Sequence, residues 1–325
     1  MVRTLNRLLT EHPLGAGVVC ALLTLASFQG MFLGMLQLLV PLPLYLVALR
    51  RGPRDGLLAA AVPLVMLLLL TGGQAWFALA HAVTFSVPPV LVGWLARRGW
   101  TLPQGMVAVF SVGMLLLFVP LLLNALGWIT LEEQVSSTLD EMRRQTMSAL
   151  NSGPGQSDKV ALATLDQVMG QFLDMLGRVL PAIMMAGWFL LHATNLMLVQ
   201  FLVRRSGEDL VNPGHFQDFR APAMLAVPVV LGLIPAYLLP GGWGYLGLNL
   251  VLYLLQVPLF QGVAVARAAF AHWQVDGLWR FAFYFTLFIW VEFVILVTLV
   301  GLLDSWVDFR GRFMKQREGI GPSER

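Results

Sequence analysis

Lysine is nearly missing from these 325 residues, with Lys159 and Lys315 the two in the chain. Charge of either sign is scarce: 12% of residues are charged and 58% are apolar, whereas a water-soluble domain carries roughly 25% charged residues. A surface wetted on all sides cannot be built from that inventory. The net charge of +3 comes almost entirely from Arg. It is split into short clusters between apolar runs and forms no contiguous basic face of the kind nucleic acid needs. Cys20 is the one cysteine. It has no second Cys for an internal disulfide and no Cys or His neighbours at metal-ligand spacing, so it reads as a small buried hydrophobe. Gly-x-Ser-x-Gly, His-Glu-x-x-His and a Walker Lys are missing too, which disfavours an ATPase or a metalloprotease. The expectation is a chain without enzyme activity, metal, cofactor or nucleic-acid partner.

Hydrophobic mass is what the chain has, at a mean hydropathy of +0.74. A spanning helix needs about 20 apolar residues. The candidate spans are Leu14–Ser27, Met31–Leu49, Gly56–Leu70, Ala75–Ala96, Gly105–Leu126, Val179–Val203, Ala223–Leu239, Tyr245–Ala266 and Phe281–Leu303. The expected fold is an all-α polytopic bundle of about nine spans. Arg3 and Arg7 precede the first run, and no polar mature domain follows it, so it reads as a retained helix and not a cleaved signal.

With alternating spans, Arg3/Arg7, Arg50/Arg51/Arg54, Arg97/Arg98, Arg204/Arg205/Arg220 and Arg267/Arg280 share one side. The positive-inside rule makes that side cytoplasmic, with the N-terminus, in a bacterial inner membrane. Arg310, Arg312, Lys315 and Arg317 disobey. Nine crossings put this basic tail outside, and eight put it inside.

Four segments follow from this reading: a five-span bundle over 1–127, an extracytoplasmic insert over 128–178, a four-span bundle over 179–309 and a basic tail over 310–325. Within the insert, Thr130 and Glu133 make a capping box. Leu131, Val135, Leu139 and Met142 then recur at helical spacing. Asn151-Ser152-Gly153-Pro154-Gly155 breaks that helix. A second helix begins near Asp158, with Leu165, Val168, Met169, Phe172 and Leu176 on one face, making an amphipathic hairpin. Its acidic polar face disfavours anionic lipid.

Polar groups at bilayer depth need a reason. Glu292 falls in the middle of the last run, where an acid costs roughly 2.5–3.5 kcal/mol. Asn249, Tyr253, Gln256, Phe260 and Arg267 share one face of the eighth. His192 and Asn195 share a face of the sixth, without the third ligand zinc requires. His81 stands alone in the fourth, where Pro88-Pro89 implies a helix break. Glu292, Asn249, Tyr253, Gln256, Arg267, His192 and Asn195 form the candidate ligand-binding set, with Arg267 the counter-charge or an anion contact. Gly30 and Gly34 form a GxxxG pattern.

Pro41-Leu-Pro43 through Arg50-Arg51-Gly52-Pro53 to Gly56, Tyr253-Leu-Leu-Gln256, and Gly301-Leu-Leu-Asp304-Ser-Trp306-Val-Asp308-Phe-Arg310 resemble segments of the YybS-like bacterial membrane proteins, a domain of unknown function numbered 2232. The resemblance implies a polytopic membrane protein. The first half of that family is similar in pattern to substrate-binding membrane subunits of energy-coupling-factor transporters, and no site residue carries over. Two functions follow as expectations: a solute-binding or transport subunit lacking its own ATPase, or a non-transporting scaffold in envelope biogenesis or complex assembly. The bilayer is a partner in both, joined by a small-molecule solute in the first and membrane proteins in the second. Transport predicts a cavity lined by the named polar residues. A scaffold predicts the same side chains paired in a closed bundle.

Overall fold

The computed structural model describes residues 12–27, 34–151, 159–207, 226–309 and 311. Arg3, Arg7, Gly30, most of the 151–155 break, Arg220 and the basic tail lie outside them. Among the described residues all regular structure is helical. The helices are α1 (Pro13–Ser27), a 3-10 turn (Met35–Leu39) leading into α2 (Leu42–Arg50), α3 (Pro53–Leu70), α4 (Ala75–His81), a π-helical turn (Ala82–Ser86) leading into α5 (Val87–Arg97), and α6 (Leu102–Ala125). There follow α7 (Leu131–Asn151), α8 (Lys159–Arg205), α9 (Ala226–Leu238), α10 (Gly241–Leu254), α11 (Gln256–His272), α12 (Gly277–Ile289) and α13 (Val291–Val307).

Five stretches are long and apolar enough to cross a membrane, or six if α12 and α13 count as one broken span. The first, second and seventh expected spans hold shorter apolar helices of 10–17 residues. Among the described residues the expected nine spans are therefore reduced to five or six of spanning length, with three shorter apolar helices beside them.

Two compact units form, each discontinuous in sequence: Met1–Gly113 with Gly187–Phe219, and Met114–Ala186 with Arg220–Arg325. Both α6 and α8 contribute residues to each unit. In the first unit, Ala16, Cys20, Val40, Leu44, Val47, Ala59, Ala60 and Phe85 make the core. One end of this unit gathers the Arg clusters: Arg97 donates to the Arg50 carbonyl at 2.9 Å, and Arg50 donates to Ser206 Oγ at 3.2 Å. Gly52 makes the tight turn between α2 and α3 at φ 106°, a value costly for other residues, and Pro53 opens α3. The Arg-Arg-Gly-Pro motif is thus the turn that presents these cations at one end.

In the second unit, α11 packs on α13 through two glycines. A Cβ on Gly301 would run into the Pro258 carbonyl, and one on Gly262 into the Val297 carbonyl. Small residues let membrane helices approach this closely. Gly262 meets Val297 while Gly301 meets Pro258, so the two helices run antiparallel.

The last expected span is not continuous. α12 and α13 are bent by 109° at Trp290, whose backbone is extended (φ −112°, ψ 107°). Ile289-Trp290-Val291 combines β-branched and aromatic residues of modest helix propensity. Glu292 therefore sits exposed in the first turn of α13, not at mid-span. A carboxylate there is favoured by the helix macrodipole.

Candidate functional site

Prolines open the helical ladder at several places, and buried polar side chains meet the carbonyls they leave. Thr84 lacks an α donor at Pro88 and a π donor at Pro89, because neither has an N–H. Its carbonyl instead accepts from His192 Nε2 at 2.8 Å and Trp188 Nε1 at 3.0 Å. With Nε2–H donating, Nδ1 of the neutral ring accepts from the fully buried Tyr45 hydroxyl at 3.1 Å. Leu38, whose i+3 donor is removed by Pro41, accepts from Asn195 Nδ2 at 2.7 Å. All of these groups lie in the first unit.

The second unit repeats the device. Pro181 lies inside α8 and deprives the Gly177 carbonyl of its i+4 donor. The Tyr245 hydroxyl donates to that carbonyl at 3.1 Å. One turn along, Asn249 engages both members of a rung that an uninterrupted helix pairs with each other. Its Oδ1 accepts from the Ala182 N–H at 2.9 Å, and its Nδ2 donates to the Arg178 carbonyl at 2.9 Å. Nδ2 also donates to the Tyr245 carbonyl at 2.9 Å. The Asn249 amide is thus fully engaged with backbone.

The seven candidate residues separate accordingly. Asn249, His192 and Asn195 are buried and bonded to backbone in their own units. Tyr253 is fully buried, and Gln256 donates to its carbonyl at 3.1 Å. Glu292 and Arg267 are exposed. The antiparallel register of α11 and α13 sets Glu292 roughly level with Arg267.

Sequence reasoning passed over Gln261 and Asp304, both buried, with Gln261 Nε2 donating to Asp304 Oδ2 at 2.9 Å. The signal was available. Asp304 ends the same apolar run that singled out Glu292, and the span boundary at Leu303 excluded it by one residue. Tyr45, Trp188 and the Thr84 carbonyl were missed because nothing local marks them as partners.

The insert folds as the expected hairpin of α7 and the start of α8. The N–H of Glu132, in the first turn of α7, donates to Asn124 Oδ1 at 3.1 Å. Arg143 grips Asp166 with two bonds of 2.7 and 2.8 Å. A cleft of about 1030 Å³ beside this pair is lined by Asp140, Arg144, Met147 and Leu162 among others. Of the apolar face expected on the second helix, Met169 and Leu176 are half-buried, whereas Leu165, Val168 and Phe172 are exposed, as is Met175. The stripe turned outward has no cover in the chain's own hairpin.

Hydrogen bonding to Arg143 holds the Asp166 carboxyl below the usual carboxylate range. A depressed carboxylate contributes stability that is present above its unfolded value, near about 4, and is lost as pH falls through the lower folded value. The pair is partly exposed, so the contribution is modest. Protease resistance of the hairpin should stay constant from pH 7 to about 4 and fall below that. Asp166→Asn should abolish the acid step, as followed by limited digestion with an acid-active protease.

Long apolar helices, the close small-residue crossing of α11 and α13, and proline gaps sealed by neighbouring side chains define an all-α polytopic membrane protein among the described residues. A family model described as a predicted membrane protein, domain of unknown function 2232, matches residues 18–305. The chain belongs to this family. No curated protein and no solved structure matches it.

Proposed function

We propose that the protein is a non-transporting membrane scaffold that docks a protein partner through its hairpin, on the extracytoplasmic side of a bacterial inner membrane. The observation carrying this reading is the exposed stripe Leu165, Val168, Phe172 and Met175 on α8. The 47 residues of α8 extend about 70 Å, against about 30 Å of hydrocarbon. With Val179–Val203 in the bilayer, Val168 stands about 16 Å beyond it, where lipid tails do not reach. Spacing of i, i+3, i+7 and i+10 is the seam that a partner helix takes. The engagement of Asn249 supports the same reading, because a solute taking its amide would strand Ala182 N–H and the Arg178 carbonyl.

A photo-crosslinker at Val168 should trap one adduct of defined mass, and the same probe at Gln145 should trap none. Leu165→Ser/Phe172→Ser should abolish the adduct and shrink the complex on native gels while the protein accumulates normally. If no adduct forms and the double variant migrates as wild type, the scaffold reading falls.

A solute-binding subunit without its own ATPase is the second reading, favoured by one observation in the first unit. His81 Nδ1, Ser86 Oγ and Asn195 Oδ1 are buried and lack partners among the described residues. Native mass spectrometry of the purified protein separates the two. A bound small molecule lost in Ser86→Ala would favour this second reading.

A further inference from the structure

We propose that α12 and α13 make no ninth crossing: α12 lies in lipid along the membrane boundary at the Arg267–Arg280 end of the second unit, and α13 enters from that boundary and stops near the midplane. The inference is independent of the docking function above.

The α10–α11 stretch Gly241–His272 serves as a depth ruler. Its 32 residues measure about 48 Å against about 30 Å of hydrocarbon, which places the centre near Gln256. Trp243 and Tyr245 fall at one boundary and Arg267 at the other, as interfacial anchors do. The antiparallel contacts Gly262 to Val297 and Gly301 to Pro258 fix α13 on this ruler. Counting at one rise per residue, Val291 lies level with about Ala268, and Val307 level with about Leu252. The far end of α13 therefore sits close to the middle of the bilayer.

α12 begins a short turn after His272 and ends beside Val291, so both of its ends lie at the same depth. Its 13 residues, about 20 Å, must then run along the boundary, as the 109° bend into α13 requires. Phe283 pins it there, packing edge-on against Phe270 of α11 and Phe293 of α13. Leu278, Trp279, Phe281, Phe285, Phe288 and Trp290 are exposed. Tryptophans near both ends and Arg280 beside one suit the headgroup–acyl boundary, so the cover for this face is lipid.

Polar groups at depth are tolerated where protein buries them. The buried Gln261–Asp304 hydrogen bond near the inner end of α13 meets that condition. Beyond it the sequence holds Asp308, Arg310, Arg312, Lys315 and Arg317, charges that need protein or water around them, not lipid. Eight crossings also return the basic tail to the side of the other Arg clusters.

The test uses full-length protein in a Cys20→Ala background. Spin labels on Trp279→Cys and Glu292→Cys, read by power saturation in vesicles, should report the same shallow depth. Ser323→Cys should react with a membrane-impermeant maleimide on the same vesicle face as Trp273→Cys. A label at position 292 at the bilayer centre, or Ser323→Cys reacting on the face opposite Trp273→Cys, overturns the proposal.

Discussion

Asn249→Ala is expected to lower the unfolding free energy by about 2–3 kcal/mol, from two backbone groups, the buried Ala182 N–H and the Arg178 carbonyl, left without partners. Individual side-chain hydrogen bonds in membrane proteins average about 0.6 kcal/mol and reach about 1.7, so the estimate depends on losing several together. The Asn249 amide makes three bonds, two of them to the Ala182–Arg178 rung beside Pro181. The pyrrolidine ring opposes closure of the ladder at that turn, so the stranded groups cannot simply bond to one another. A double-mutant cycle checks the mechanism by reversible unfolding in detergent. In a Pro181→Ala background the helix can complete its own ladder, and Asn249→Ala should then cost about 1 kcal/mol or less. Equal costs in both backgrounds would show that Asn249 does not serve the proline gap.

Gly301→Val should cost about 3 kcal/mol or more and reduce accumulation of the protein, because overpacking at a close helix crossing has no flexible side chain to displace. The atom in the way is the backbone carbonyl of Pro258. Gly301→Ala, with one carbon added, should fall between this variant and wild type in the same unfolding assay. Gly187 is the matched control. It is exposed, with nothing within 4 Å of an added Cβ, and Gly187→Ala should be neutral or stabilise by up to about 1 kcal/mol. Wild-type stability in Gly301→Val would mean that the α11–α13 crossing is wrong.

Membrane character, helix class and the hairpin were legible in the sequence because each is a local average over a window of residues. Five apolar stretches reach the length a bilayer demands, and the hairpin helices show a 3.6-residue period. The shared end of Arg50 and Arg97 was legible for a related reason, since alternation of spans carries side information along the chain. What escaped depends on distant partners. The break at Trp290 has no Pro or Gly to announce it, so Glu292 was assigned to mid-span and Asp304 was left out. Asn249 and His192 were marked as polar groups within apolar runs, and both are buried. Their partners are backbone groups at the turns of Pro181 and Pro88, the Ala182 N–H and Arg178 carbonyl for Asn249 and the Thr84 carbonyl for His192, and no window contains both. The outward turn of Leu165, Val168 and Phe172 was hidden too, because periodicity identifies an apolar face without saying what covers it.

The proline gaps carry a historical consequence. A chain that gains Pro181 without Asn249 and Tyr245, or Pro88 without His192 and Trp188, passes through a form with unpaired backbone groups. Once the proline is fixed, loss of its partner becomes costly, and the pair is entrenched. Homologous sequences should therefore gain and lose Pro181 together with Asn249 and Tyr245, and Pro88-Pro89 together with Trp188 and His192. The wear of substitution over time would then record the same pairings that the hydrogen bonds draw.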